Sequence, residues 1–114
     1  MRMWMTNPKM LCRKHLIGEH GEIHKFRPSF IKKHNMENRV RYGQIDHTRM
    51  KQRHDELVNE MLCRGYKHKS PYEQPDVSYI QSKPCVSIKW NVQDLKLRCE
   101  ACKKRLEKTN VKNN

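Results

Sequence analysis

The chain has 114 residues, 35% of them hydrophobic, with 25 Lys and Arg against 12 Asp and Glu and a formal charge of +13. A globule of this length buries only about two-thirds of its unfolded surface, so with two Phe, two Trp and four Tyr the core has to be thin and built from Leu, Ile, Val, Met and Cys. The charge exceeds what solubility requires and points to a polyanionic partner, DNA or RNA, through phosphate contacts and steering. No window reaches the length of a membrane span and the first residues lack the apolar run of a signal peptide, which leaves membrane partners outside the expectation. Five cysteines, odd in number and without regular disulfide spacing, suit a reducing cytoplasm.

In chain order, residues 1 to 8 read as an extended lead-in ending in Asn7-Pro8, a pair that starts helices. A helix is predicted from Lys9 to about Lys25, with Leu11, Cys12, Leu16 and Ile23 at helical spacing. Gly18 and Gly21 weaken it by about 1 kcal/mol each relative to Ala. A close helix crossing, the approach of a ligand and simple tolerance are the competing reasons for them. The basic run from Arg27 to Gln44 reads as irregular. A second helix is predicted from about Thr48 to Arg64, where Met50, Leu57, Val58, Met61 and Leu62 form a stripe and Gly65 provides the stop. Lys67 to Trp90 reads as loop. A third helix follows an Asn91 cap and carries Val92, Leu95, Cys99, Cys102 and Leu106 toward a basic, frayed tail from about residue 108. The expected fold is mainly α, a compact single-domain bundle of about three helices with long irregular loops over residues 1–114.

His15, Glu19 and Glu22 fall at i, i+4 and i+7, on one helix face. Two neighbouring carboxylates raise one another's pKa and burial adds to this, the route by which a Glu holds or takes a proton near neutrality. The plainer alternative is acidic residues that suit the helix dipole and pair with Lys or Arg. His20 and His24 are four apart, a spacing that can offer two imidazoles to a metal. With no third ligand nearby in sequence, they are read instead as phosphate or base contacts. Cys99 and Cys102 form a Cys-x-x-Cys with Cys85 upstream, a partial zinc set that a His would complete. Two small apolar groups packed in a helix is the favoured alternative, and Cys12 and Cys63 are read as core. No metal or other cofactor is expected.

The lead-in Met-Arg-Met-Trp, the segment Leu11-Cys-Arg-Lys-His-Leu-Ile-Gly-Glu-His20, and Arg53-His-Asp-Glu-Leu-Val-Asn-Glu-Met61 with Arg64-Gly-Tyr66 resemble the pyrimidine dimer DNA glycosylase (phage-type endonuclease V) family over residues 1 to about 72. The stretch Asp94 to Cys102 is similar to the C-terminal part of its shorter bacterial-type members. The resemblance implies a mostly helical fold that kinks damaged double-stranded DNA and cuts the glycosidic bond through an N-terminal amine Schiff base, with abasic-site lyase activity. Position by position it implies Met1 as the amine, Glu22 as the essential carboxylate and His15 as its support. DNA contacts are expected from Arg2, Arg13, Lys14, Glu19, His20, Lys25, Arg27, Lys32, Lys33, Arg39 and Arg41. Gly21 stands where the family usually has Arg, and Lys25 where it has another cation. The alternatives are a non-catalytic phage factor on the same scaffold, binding nucleic acid or a host nucleic-acid protein, and a zinc-stapled ribosome-associated protein. The expected location is the cytoplasm, that of a bacterial host if the chain is phage-encoded.

Overall fold

Residues 2–6 run through the interior of the molecule without regular structure, with Met3, Trp4 and Thr6 buried and the Met3 amide donating to the Gln44 carbonyl at 2.7 Å; the expected extended lead-in is broken at Met5, which adopts a positive φ of 57°. The computed structural model describes residues 2–68 and 70–113, the last six by backbone alone. Asn7 caps a short 3-10 turn at Pro8–Met10. Helix α1 then spans Arg13–Ile31, further than the Lys25 predicted from the apolar spacing. Pro28 lies inside it and withdraws the amide that would bond the His24 carbonyl. The helix survives that loss because Phe26 and Phe30, on either side of the proline, are both buried. It stops at Lys33, which adopts a positive φ of 57°.

The region expected to be irregular also contains α2, Glu37–Arg41. The Glu37 carboxylate accepts the Gln81 amide at 2.7 Å and the Ser82 amide at 2.9 Å, so a helix of five residues anchors a distant loop. Gly43 follows at φ 72°, and a Cβ there would sit 3.2 Å from the Cys85 carbonyl oxygen. This glycine is required by conformation and by space alike.

Asp46 caps the turn His47–Arg49 through the Thr48 amide, and α3 runs from Met50 to Cys63, close to its expected bounds. Its buried positions Met50, Arg53, His54, Leu57 and Met61 follow the 3.6-residue period. Gly65, at φ 84°, ends it, with the Tyr66 amide returning to the Met61 carbonyl. Cys63, expected in the core, is exposed, because it falls on the solvent side of this stripe.

Residues 66 to 87 form a strap with no helix or strand among its described residues, held by buried Tyr72 and by Gln74, which accepts the Lys51 amide and donates to the His47 carbonyl. The expected C-terminal helix is two: α4, Ile88–Arg98, and α5, Glu100–Asn113. Ser87, not Asn91, caps α4 by accepting the Trp90 amide. Asn91 is instead buried in the helix and donates to the Trp4 carbonyl at 2.9 Å. The molecule is therefore mainly helical, with no strand among the described residues and no described helix long and apolar enough to cross a membrane.

A cation-lined cleft and two ligand clusters

The packing of α1 sorts its polar residues. Leu16, Glu19, Ile23, Phe26 and Phe30 are buried. At 100° per residue His15 and Glu22 flank that stripe on one side and His20 and His24 on the other.

On the first side lies a cleft of about 230 Å³ lined by Arg2, Trp4, Lys14, His15, Gly18, Glu19, Glu22 and Arg98. Glu19 and Arg53 are fully enclosed beneath it. The guanidinium donates from Nε to Glu19 Oε2 at 2.6 Å and from Nη2 to Glu19 Oε1 at 2.9 Å, a bidentate charge-assisted pair, while Nη1 donates to the Thr6 carbonyl at 2.6 Å. Both oxygens of Glu19 are thus occupied by protein. Glu22 differs: its side chain is mostly covered, Lys25 Nζ stands 4.0 Å from Oε1, and Oε2 is buried with no hydrogen-bond partner among the described residues. A buried carboxylate oxygen without a donor is costly, so Glu22 Oε2 has the capacity to accept a hydrogen bond or a positive group entering the cleft.

Arg2 closes one side of the cleft, donating to Asn91 Oδ1 at 3.2 Å, pairing with Asp94 Oδ2 at 3.4 Å and lying 4.9 Å over the Trp4 ring. Met1 lies outside the described residues. Gly18 and Gly21 have open space where a Cβ would stand, so no helix crossing requires them. Of the other expected DNA-contacting cations, Arg13, Lys14, Lys25, Lys32, Lys33, Arg39 and Arg41 are exposed, with Arg13 over Tyr66 and Arg39 over Phe26. Arg27 is drawn onto the strap by the Glu73 carbonyl and carboxylate.

His15 reaches the cleft wall, but its Nδ1 lies 3.2 Å from Cys12 Sγ and 3.4 Å from Cys102 Sγ. Burial, then Lys14 and Arg98, hold its pKa below the ordinary value. Cys12 Sγ is also 3.7 Å from Cys99 Sγ. Cys99 and Cys102 therefore meet Cys12 and His15, whereas the Cys85 thiol donates to the carbonyls of Val40 and Arg41 and has no place in this group. On the other flank of α1, His20 and His24 meet His54 of α3 and His68 of the strap, with their ligand atoms within 4.8 Å of one another. Burial and then the other three imidazoles push His20 down to about 4. His20 thus faces away from the cleft wall that contains Glu22.

Arg53 and Arg98 were not singled out from the sequence. Arg53 carries a readable signal, since a charged residue at the centre of an otherwise apolar stripe demands a buried partner. Arg98 carries none. His54 and His68 are separated in sequence from His20 and His24 by α2 and, for His68, by the rest of α3 as well, so spacing alone could not join them.

A family profile described as pyrimidine dimer DNA glycosylase matches residues 1–74, a span that includes the lead-in, all of α1 and all of α3. Searches of curated proteins and of solved structures each return no significant match.

Proposed function

The chain belongs to the pyrimidine dimer DNA glycosylase family, and from that premise we propose that it cuts the glycosidic bond of a damaged or modified nucleotide with the α-amine of Met1 and then acts as an abasic-site lyase. Family membership assigns DNA glycosylase activity and a DNA substrate in general; the identity of the nucleophile and the lyase step are the proposal. The observation that carries it is Glu22, whose buried, unpartnered oxygen belongs to a cleft lined by Arg2, the neighbour of Met1.

An α-amine has a pKa near 8 and keeps a usable unprotonated fraction at neutral pH. Its lone pair attacks the sugar C1′ while the C1′–N bond breaks, and the electron pair leaves with the base, which takes up a proton. Glu22 faces the cationic sugar and accepts the proton shed by the attacking nitrogen. The C1′–O4′ bond then opens, with O4′ taking that proton back from Glu22, and the resulting protonated iminium acidifies C2′. Loss of a C2′ proton to a carboxylate then expels the 3′-phosphate by β-elimination. Arg2, Lys14, Lys25 and Arg98 supply the positive rim that receives the backbone, and extrusion of a nucleotide costs a few kcal/mol, least at damaged sites.

A second reading, DNA binding without turnover, draws on Gly21, which replaces the cation the family resemblance leads one to expect before Glu22. One experiment separates the two. The untagged chain with a free N-terminus is incubated with abasic and dimer-containing duplexes and borohydride, beside Glu22→Gln and an N-terminally extended form. A trapped adduct that the extension abolishes supports the α-amine mechanism. No adduct from a chain that still binds DNA assigns it to binding alone.

A further inference from the structure

Two clusters of metal-ligating side chains lie outside the catalytic proposal. The first joins opposite ends of the chain. Cys12 and His15 stand at the first turn of α1, Cys99 and Cys102 at the junction of α4 and α5, and their four ligand atoms lie within 4.8 Å of one another. The individual separations are 3.2 and 3.4 Å from His15 Nδ1 to the Cys12 and Cys102 sulfurs and 3.7 Å between the Cys12 and Cys99 sulfurs. A tetrahedral zinc with bonds near 2.3 Å to sulfur and 2.0–2.1 Å to nitrogen sets neighbouring ligand atoms about 3.5–3.8 Å apart. The backbone also serves the sulfurs: the Cys12 amide donates to Cys102 Sγ at 3.2 Å and the Cys102 amide to Cys99 Sγ at 3.5 Å, which favours thiolates.

The local backbone is an independent sign. Between Arg98 and Glu100 the helix breaks at Cys99, which is extended at φ −136°, ψ 108°, with neither Gly nor Pro at the break. Cys12 occupies the N-cap of α1 and makes no side-chain capping bond. Each residue gives up a helical role and turns its sulfur to the same point. The geometry points to a structural zinc ion held by the Cys12, Cys99 and Cys102 thiolates and His15 Nδ1. Four protein ligands leave no open position, which distinguishes a structural ion from a catalytic one. The ion fastens the segment beyond residue 74, outside the family match, to the half that carries Glu22. It also fixes the His15 ring on the cleft wall.

The test uses the untagged full chain from zinc-supplemented cells. Cobalt substitution is expected to give thiolate-to-metal charge-transfer absorption that Cys12→Ser and Cys99→Ser abolish and Cys63→Ser and Cys85→Ser leave intact. In native wild type an alkylating agent should modify only the two exposed thiols, Cys63 and Cys85, with Cys12, Cys99 and Cys102 becoming reactive when a chelator is added. Should the Ser variants not fold, the wild-type spectrum and labelling decide. Absence of the charge-transfer band, or labelling unchanged by chelator, overturns the site, as does finding fewer than five free thiols after denaturation, which would mean a disulfide.

The second cluster stands on different residues. His54 Nε2 is 3.1 Å from His24 Nε2, and His68 Nε2 is 3.0 Å from His20 Nε2. His54 Nδ1 lies 3.0 Å from Asp55 Oδ1, a carboxylate placed to take the Nδ1–H when Nε2 binds a metal, as beside metal-bound imidazoles generally, and the four ligand atoms lie within 4.8 Å of one another. We infer that His20, His24, His54 and His68 bind a divalent transition ion, zinc being the imidazole-preferring and redox-inert choice. Wild type is expected to hold two zinc ions per chain by elemental analysis. His20→Gln with His68→Gln should lower this to one and leave the thiolate-to-cobalt band unchanged. A wild-type content of one ion carried by the cysteine cluster, or a histidine variant that still holds two, overturns the second site.

Discussion

Replacing Arg53 with Met should be among the most damaging single changes in the chain. The side chain is 1% exposed and that of its partner Glu19 is 0%. Both Glu19 oxygens depend on the guanidinium at 2.6 and 2.9 Å, and the Thr6 carbonyl depends on it at 2.6 Å. Removing one partner of such a buried pair costs about 3–5 kcal/mol, because the other charge stays behind without compensation. Native domains hold only about 5–15 kcal/mol in total. At roughly 4 °C per kcal/mol for a chain of this length, the midpoint should fall by about 12–20 °C. The double variant Glu19→Leu with Arg53→Met removes the stranded charge and should recover most of that loss, since apolar replacement of a buried pair is often neutral. Urea denaturation followed by far-UV circular dichroism gives all four corners of the cycle. If Arg53→Met costs under about 1 kcal/mol, or the double variant is no more stable than the single, the pair does not hold the lead-in and α1 together as described.

Other consequences are equally open to measurement. Glu22→Gln should remove covalent trapping on dimer-containing DNA by at least about 10²-fold, the usual reach of a positioned acid–base group, while duplex affinity in a gel-shift assay stays within about threefold. Gly21→Arg meets no atom near its Cβ, so it should raise helix stability by up to about 1 kcal/mol, and it should steepen the salt dependence of DNA binding by about one phosphate contact. Glu37 has its pKa held below the ordinary 4.5 by the Ser82 hydroxyl and then the Gln81 amide, among other contacts. A depressed folded-state pKa stabilises above the unfolded value and loses that contribution as pH falls through the folded one. Hydrogen exchange at the Gln81 and Ser82 amides should therefore accelerate, beyond its intrinsic pH dependence, only below the ordinary carboxylate range, and Glu37→Gln should show the fast exchange already at neutral pH.

Helix α3 and the Glu19–Glu22 face of α1 were legible because periodicity speaks directly for amphipathic helices. The extension of α1 past Pro28 was not, since the proline rule is local and is overridden here by burial of Phe26 and Phe30. Asn91 has the composition of a cap but is spent on the Trp4 carbonyl, a contact between residues far apart in sequence. The Cys-x-x-Cys was visible, yet its partners were sought nearby at Cys85. Cys12 and His15 repeat the same two-residue spacing at the other end of the chain and were assigned to the core and to catalysis, because spacing reports pairs within a segment and is silent on which segments meet.

The burial of the first residues beneath α4 has a consequence for biosynthesis. The Trp4 carbonyl receives its hydrogen bond from Asn91 and the Arg2 guanidinium its carboxylate from Asp94. At about 5–20 residues per second on the ribosome, Arg2 and Trp4 wait several seconds for those partners to be made. Until they emerge, Trp4 has no cover and Arg2 no anchor. The lead-in is thus synthesised well before the partners that complete its packing and is among the last segments to be assembled.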